Sequence, residues 1–292
     1  MISKIFNTDV AVEVNSIGAE LMSIKTQRDG MEFLWQGDPK YWKRRAPLLF
    51  PVVGIFEKDR YMYKEKEYEI ELHGFIKDCN FELLKSSETS LEYRFSSNEA
   101  TFLKYPFEFE LYVSYHLSGS EVKIGRTVVN KSDGKMWFSI GEHPGFRCPL
   151  FDNETMEDYY LDFEKNEHIN RRFVEDGLQT GQQELFLCDE NEVRLSKKLF
   201  ERRVIILKGL ESNCVELRSS KNNRTVKVRF NGYPYMGIWS PETGAPFVCI
   251  EPWYGITSSK NGIEDIREKE GILSIDPKEL FECGYSIDVT DH

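Results

Sequence analysis

A histidine and a glutamate that lie far apart in the chain are the residues best suited to chemistry. His143 lies in the segment 140–149, IGEHPGFRCP, between two glycines and directly before a proline. Gly141 and Gly145 can adopt backbone angles that other residues avoid, and Pro144 lacks a ladder donor and favours an extended His143. The composition predicts a sharply shaped rim with His143 at its tip. For an isolated motif the simpler interpretation is a tight loop with an exposed histidine. A functional role for His143 therefore depends on whether other parts of the chain supply residues that act with it.

Glu251 is the informative carboxylate. It ends the apolar run 247–250 and precedes a proline and two aromatic residues, so we expect it at a strand end among aromatic side chains. Such surroundings raise the pKa of a carboxyl group toward neutrality and make it a useful general base. A strand-terminal glutamate in a salt bridge is an equally weighted alternative.

Short alternating segments supply the elements that must position these two residues. The clearest strand is 107–117, in which the odd-numbered residues are apolar and most of the even-numbered ones are polar. Hairpins are predicted at 81–95 and 214–230, a single helical turn at 38–43 and a short helix at 98–103.

The remaining pattern defines the fold class. Between residues 152 and 198 charged and amide side chains dominate, and this region is predicted to run over the surface. We find no amphipathic helix of ordinary length, no internal repeat and no linker. The sequence therefore predicts an all-β protein, a single antiparallel β-sandwich domain over residues 1–292, and the missing crossover helices exclude a parallel α/β fold.

Composition limits the partners. A net charge of −11 over 292 residues argues against binding to nucleic acid. No stretch suits a signal peptide or a membrane span, so we expect a cytoplasmic protein without a membrane partner. The six cysteines lack C-x-x-C spacing and are expected to be reduced, mostly core thiols without a zinc site. The sequence does not indicate an oligomeric state.

A pattern of six segments is distributed along nearly the whole chain. In order, they are YWKRRAPLLFPVVG at 41–54, HGF at 73–75, GEHPGFRCP at 141–149, FNGYPYMGIWSP at 230–241, FVCIEPWYGI at 247–256 and EKEGI at 268–272. Together they resemble the aldose 1-epimerase (galactose mutarotase) family, most closely its bacterial LacX-like branch. The EHPGF and IEPWYG pieces are the specific ones.

The resemblance implies a β-sandwich of the galactose mutarotase type that interconverts the α and β anomers of an aldose. It implies His143 as general acid, Glu251 as general base, and Arg44 and His73 as sugar-binding residues. The residue types suit this chemistry, because opening a pyranose removes the anomeric hydroxyl proton and protonates the ring oxygen. A carboxylate at Glu251 and an imidazolium at His143 supply both functions, and no cofactor or metal is needed because no electrons move. Three aromatic residues are candidates for stacking on the sugar, although core packing is as common for each: Trp239, Trp253 and Tyr254.

One position departs from the family pattern. Relatives often have an aspartate shortly after the Leu-Phe pair that this chain has at 199–200, whereas here LFERR ends in Arg203. A guanidinium only donates hydrogen bonds, so Arg203 predicts an altered sugar preference and favours a phosphate nearby. Alternatively, Arg203 points to solvent and Glu201 or Glu142 accepts the hydrogen bonds of the sugar.

Two other functions are compatible with the sequence. The first is epimerisation of hexose 6-phosphates, with the phosphate held by one or more of Arg44, Arg45, Arg147 and Arg203. The second is a non-catalytic carbohydrate-binding or regulatory module on the same fold.

Overall fold

Strands dominate the computed structural model, which describes residues 1–291. In chain order the strands are β1 (Ile2–Phe6), β2 (Val10–Asn15), β3 (Glu20–Thr26), β4 (Leu48–Leu49), β5 (Arg60–Tyr63), β6 (Lys66–Glu69), β7 (Glu82–Ser86), β8 (Ser90–Ser96), β9 (Phe109–Ser118), β10 (Glu121–Asn130), β11 (Met136–Phe138), β12 (Ile140–Glu142), β13 (Gly145–Arg147), β14 (Tyr159–Glu175), β15 (Leu178–Arg194), β16 (Ile205–Lys208), β17 (Cys214–Ser219), β18 (Arg224–Arg229), β19 (Tyr235–Trp239), β20 (Phe247–Tyr254), β21 (Leu273–Ile275) and β22 (Leu280–Asp291).

Helices are short throughout these residues. Helix α1 (Glu99–Phe102) begins after Asn98, whose side chain accepts hydrogen bonds from the backbone N–H groups of Ala100 and Thr101. This confirms the predicted short helix. Within residues 1–291 no helix has the length and apolar character needed to cross a membrane. Short 3-10 turns occupy Glu57–Asp59, Ile76–Asp78, Met156–Asp158, Lys197–Phe200 and Ile266–Glu268.

The segment predicted as a helical turn at 38–43 is a hydrogen-bonded turn that does not continue into a helix. The backbone N–H groups of Tyr41 and Trp42 both donate to the carbonyl oxygen of Asp38, at 3.0 Å each. This turn fixes the backbone that carries the Trp42 indole.

Antiparallel pairing joins most strands into one large sheet. Its spatial order is β4-β12-β20-β19-β16-β14-β17-β18-β22-β10-β9-β8-β7, with β13 also pairing β20 and β15 pairing β14. Smaller sheets contain β1-β2-β3, β5-β6 and β11-β21. The architecture is an antiparallel β-sandwich, which confirms the predicted all-β fold class.

Strand β9 shows the alternation that the sequence predicts. Its inward side chains are buried, and those between them are half-buried or exposed. The predicted hairpins are confirmed as β7–β8 and β17–β18, both antiparallel. The buried side chains of β9 are Phe109, Leu111, Val113, Tyr115 and Leu117.

Residues 152–198 run largely over the surface, as predicted, but they also form two long strands that were not predicted. This region contains β14 and β15, which are 17 residues long each and pair with one another. Many of their side chains are exposed, and the register shifts at several places, for example between Asp162 and Glu167. Because each shift resets the inward and outward faces, the strands show no period of two in the sequence.

The cysteines are free thiols, and four of the six lie in the core or pack against it: Cys148, Cys249, Cys79 and Cys283. Cys148 and Cys249 are buried, and Cys188 is exposed. The other three are half-buried: Cys79, Cys214 and Cys283.

Candidate active site

The register of the central strands places His143 opposite Glu251. Strand β12 pairs with β20 so that Gly141 lies opposite Trp253, and β13 continues along β20 in the same register. The break between β12 and β13 falls at His143 and Pro144, where the proline cannot donate to the ladder. His143 is therefore presented at an interruption in the ladder, facing Glu251 across the strand pair.

The two side chains are in direct contact. His143 Nε2 lies 3.1 Å from Glu251 Oε2, and the side chains are 10% and 1% exposed. Apart from this contact, within residues 1–291 neither carboxylate oxygen of Glu251 nor Nδ1 of His143 has a hydrogen-bond partner. Buried polar atoms are normally paired, so these atoms are available to a bound ligand.

Burial acts against the charged form of both residues. It raises the pKa of Glu251 well above its usual range and lowers the pKa of His143 to about 3. The pair therefore holds one proton over a wide pH range, and in the free protein that proton resides on Glu251. The residue types alone predicted the other tautomer, a carboxylate with an imidazolium, because the depth of burial cannot be read from the sequence.

Aromatic rings fix the orientation of the His143 imidazole. The Trp42 indole stacks on it, with ring centroids 4.7 Å apart and planes inclined by 30°. Trp239 meets it edge-on, at 5.7 Å and 81°. The carbonyl oxygen of Trp42 accepts a 2.8 Å hydrogen bond from Trp35 Nε1, so the stacking partner is itself held in place.

His73 is held as a neutral hydrogen-bond donor. Its ring meets that of His143 edge-on, with centroids 5.6 Å apart. The Gly54 N–H donates to Nδ1 of His73 at 3.1 Å, so the ring proton is on Nε2. Burial is the main cause that lowers the pKa of His73 well below its usual range. His73 can therefore donate to a ligand at neutral pH.

The two predicted arginines differ in how they are held. The guanidinium of Arg44 donates to the Lys77 carbonyl oxygen at 3.1 Å and to the Asp78 carboxylate, and lies 3.9 Å from Glu20. Arg203 is exposed and has a positive φ of 64°. We find no side-chain partner for Arg203 in the part of the chain that the structure describes.

One cavity of about 670 Å³ brings the predicted site residues together. Its wall contains all six residues that the sequence analysis assigned to the site: Arg44, His73, His143, Arg203, Trp239 and Glu251. A volume of this size suits a small polar molecule such as a sugar.

Several alternatives from the sequence lie outside this wall. The Arg45 and Arg147 guanidiniums donate to backbone carbonyl oxygens, including those of Met22 and Leu150. Glu142 is buried on the opposite side of its strand. Five residues that the sequence analysis considered are thus not in the wall: Arg45, Glu142, Arg147, Glu201 and Tyr254.

Trp42 and Lys77 also line the cavity, although the sequence did not indicate either of them as a site residue. Trp42 lies in a loop and Lys77 in the 3-10 turn Ile76–Asp78, and the position of such connecting segments in space does not follow from a hydrophobic period. One signal was available, because Trp42 lies two residues before Arg44 in a segment of the family pattern.

Gly141 has a different role from the one predicted. Its φ is not in the left-handed region, so no unusual backbone angle requires glycine. Gly141 and Gly237 lie on either side of the Trp253 indole, and an added Cβ would approach its ring to 2.6 Å and 2.4 Å, respectively. The two glycines therefore make room for Trp253 in the cavity wall.

The fold and the site together define a class of protein. A buried imidazole and carboxyl group that share one proton, in an aromatic-walled cavity on a β-sandwich, can remove a proton from one atom of a ligand and deliver one to another.

Cys249 lies close to this pair, and the three side chains could also hold a metal ion.

Comparison with known proteins identifies the family. The model of the aldose 1-epimerase family matches residues 3–262. The protein LacX of Lactococcus lactis subsp. lactis, in its plasmid form, is 33% identical over 97% of both chains. The structure of a galactose mutarotase related enzyme from Lactobacillus acidophilus has a TM-score of 0.96 and 34% identity, covering 100% of this chain and 98% of that one. A galactose mutarotase-like protein from Lactobacillus casei has a TM-score of 0.94 and 28% identity, covering 99% and 100%.

The chain belongs to the aldose 1-epimerase family. Its fold is the galactose mutarotase type, as predicted. Membership supports a carbohydrate epimerase or mutarotase-like function and a sugar as the bound molecule.

Proposed function

We propose that the protein is an aldose 1-epimerase that interconverts the α and β anomers of an aldose, with Glu251 as general base and His143 as general acid. The observation that carries this proposal is the 3.1 Å contact between His143 Nε2 and Glu251 Oε2. The anomeric hydroxyl oxygen and the ring oxygen are bonded to the same sugar carbon. Because the Glu251 and His143 side chains are this close to each other, they can contact both sugar oxygens at the same time.

The proton balance closes within the pair. The shared proton first passes from Glu251 to His143 across their 3.1 Å contact. Glu251 as carboxylate then takes the anomeric hydroxyl proton, His143 as imidazolium gives its proton to the ring oxygen, and the bond between C1 and the ring oxygen breaks. After these transfers Glu251 is a carboxylic acid and His143 is a neutral imidazole, and both lie beside the open-chain aldehyde. Rotation of the carbonyl group and the reverse transfers close the ring to the other anomer. Burial favours the uncharged forms of both residues. The site therefore favours the carboxylic acid of Glu251 and the neutral imidazole of His143, which are the forms present beside the open-chain sugar.

The remaining wall residues suit the recognition of a sugar. His73 donates from Nε2, and Arg44 is anchored by Lys77 and Asp78 at the same wall. Trp239 offers an aromatic surface to the C–H groups of the ring. In this proposal these side chains orient the sugar, while the acid and base pair moves the protons.

A hexose 6-phosphate is the second candidate substrate, and Arg203 is the observation that favours it. Arg203 lines the cavity and is exposed, without a side-chain partner among residues 1–291. A phosphate can accept two hydrogen bonds from such a group. Arg44 contributes less to this candidate, because carbonyl and carboxylate oxygens already occupy part of its guanidinium.

Polarimetry tests the proposed function directly. Freshly dissolved α-anomers of glucose, galactose and their 6-phosphates are followed to equilibrium, and the spontaneous rate is subtracted. We expect Glu251→Gln to fold normally and to lose about 10²–10⁴-fold in rate, because glutamine keeps the volume but cannot act as the base.

Glu154→Gln is the matched control, since Glu154 is another buried glutamate but lies outside the cavity wall. It should keep the wild-type rate. If Glu251→Gln also kept that rate, Glu251 would be structural and the mechanism would be wrong. Sugar binding without turnover of any tested aldose would support a carbohydrate-binding module instead.

A further inference from the structure

A third ligand-type side chain lies beside the acid and base pair. Cys249 precedes Glu251 by two residues on β20, so both side chains point to the same face of the sheet. The potential ligand atoms of His143, Cys249 and Glu251 all lie within 4.8 Å of one another. The proposed reaction gives Cys249 no role.

We propose that His143, Cys249 and Glu251 form a binding site for a zinc-like divalent ion, and that the bound ion inhibits the protein by occupying its acid and base. An imidazole nitrogen, a thiolate and a carboxylate are the donor types that Zn²⁺ and Co²⁺ accept, whereas Mg²⁺ and Ca²⁺ prefer oxygen donors.

The spacing of the ligands suits a tetrahedral ion. Two nitrogen or oxygen ligands of tetrahedral zinc lie about 3.4 Å apart, since each is about 2.0–2.2 Å from the metal. His143 Nε2 and Glu251 Oε2 are 3.1 Å apart. Both residues line the cavity, whereas Cys249 is fully buried beneath it. An ion can therefore enter from the cavity, which leaves its fourth position open to water.

The charges also balance. An ionised Glu251 and an ionised Cys249 neutralise a divalent ion, so the buried complex carries no net charge. Binding releases one proton from the Glu251–His143 pair and one from Cys249, because metal ligands must be deprotonated. Apart from the contact with His143, neither carboxylate oxygen of Glu251 has a hydrogen-bond partner within residues 1–291, so the ion replaces only the proton that these two residues share.

A second trio offers a built-in comparison. His168, Cys188 and Asp189 also lie with their ligand atoms within 4.8 Å of one another, but all three are exposed on the β14–β15 hairpin. Atoms at an exposed site remain hydrated and mobile, so they are less well organised for an ion than the buried trio. Substitution of Cys188 therefore serves as the matched control for substitution of Cys249.

The experiment uses tag-free protein, purified in chelator and titrated with Co²⁺. We expect one equivalent to bind with the near-ultraviolet absorption band of a Co²⁺–thiolate bond, and Zn²⁺ to displace it. Cys249→Ser should abolish the band and weaken Co²⁺ binding by at least about 100-fold, since loss of even an outer-shell partner costs about 10–100-fold. Cys188→Ser should leave band and affinity unchanged.

A second variant covers the possibility that Cys249→Ser does not fold. Glu251→Gln removes a different ligand of the same site and should also weaken Co²⁺ binding. It leaves Cys188 unchanged, so a loss of binding cannot be attributed to that residue. Loss of the band in Cys188→Ser, or its persistence in Cys249→Ser, would overturn the proposal. Absence of the band in wild type would do the same. These spectra test whether the metal site exists, and they do so independently of whether the protein converts a sugar.

Inhibition rests on the proposed function and is measured separately. Zn²⁺ should lower the mutarotation rate of wild type, a chelator should restore it, and saturating sugar should raise the Zn²⁺ concentration needed. Relative to its own metal-free rate, Cys249→Ser should need at least about 100-fold more Zn²⁺. Equal sensitivity of both proteins would show that inhibition does not involve Cys249.

Discussion

Glu142, the residue before His143, forms an ion pair with Arg126, and Arg126 Nη2 lies 2.8 Å from Glu142 Oε2. The two side chains are 1% and 2% exposed. Because side chains alternate along a strand, Glu142 points away from the face that carries His143. The pair therefore anchors the back of β12 to β10, directly behind His143.

We expect Glu142→Gln to lower the free energy of unfolding by about 3–5 kcal/mol, because the change leaves the Arg126 charge buried without a counter-ion. Urea denaturation monitored by tryptophan fluorescence gives this value. The rate constant for mutarotation should fall as well, because the backbone at His143 loses its support.

The double variant Arg126→Met with Glu142→Met separates charge from packing. Replacing both partners by apolar residues of similar volume removes the unpaired charge, so most of the lost stability should return. If the double variant is as unstable as Glu142→Gln, the packing of these side chains rather than their charge holds β12 in place.

Trp42 supports the proposed acid through its stack on the imidazole. We expect Trp42→Ala to lower kcat by between about 2- and 13-fold, since an aromatic pair is worth about 0.5–1.5 kcal/mol beyond the area it buries. Trp42→Phe keeps a stacking ring and should retain most of the rate. Both are measured by polarimetry over a range of sugar concentrations.

The split between kcat and KM decides the role of Trp42. An unchanged kcat with a raised KM in Trp42→Ala would show that the indole binds the sugar and does not orient His143.

The pH dependence follows from the shared proton. The pKa of His143 is lowered to about 3 and that of Glu251 is raised well above its usual range. The active pair holds one proton, gains a second only below about pH 3, and loses its last proton well above the normal carboxyl range. We therefore expect kcat/KM to be the same at pH 4.5 as at pH 6 and to fall on the alkaline side.

A carboxylate and an imidazole with unperturbed pKa values of about 4.3 and 6.5 would instead give a narrower, bell-shaped profile. A profile with that shape would show that water reaches the pair in solution. Circular dichroism at each pH controls for unfolding, and the spontaneous reaction is subtracted, because acid and base also catalyse it.

Local patterns account for what the sequence could predict of the fold. The period of two is visible in the sequence of β9 because one face of this strand is uniformly buried. The start of α1 could be predicted because Asn98 is a favourable N-cap residue. β14 and β15 were missed because bulges and exposed charges erase that period. A pattern is visible only where one face of a strand stays in the core along its whole length.

The candidate site depended on a different kind of information. The residue types of His143 and Glu251 and the resemblance to a family pointed to an acid and a base. Their 3.1 Å contact comes from the register of β12 and β13 on β20, and such long-range pairing is not encoded in any local window. The upward pKa shift of Glu251 agrees with the one expected from its apolar and aromatic neighbours, whereas the downward pKa shift of His143 follows from its depth of burial and could not be predicted.

Arg203 is expected to set the preference between free and phosphorylated sugars. It lies in the cavity wall, is exposed and has no side-chain partner within residues 1–291. A phosphate bound there would receive charge-assisted hydrogen bonds worth about 1.5–3 kcal/mol, or about 10- to 150-fold in kcat/KM. Arg203→Asp should lower kcat/KM for glucose and galactose 6-phosphates by this factor relative to the free sugars.

The backbone makes this substitution a clean one. Arg203 has a φ of 64°, a conformation that aspartate and asparagine tolerate better than most residues. Arg203→Asn removes the charge without adding an acid and should give an intermediate ratio. Arg202→Asn, at a neighbouring arginine that pairs with Glu184 and lies outside the wall, should leave all ratios unchanged. If Arg203→Asp also leaves every ratio between the four substrates unchanged, the guanidinium does not contact the substrate, and the departure from the family pattern has no bearing on specificity.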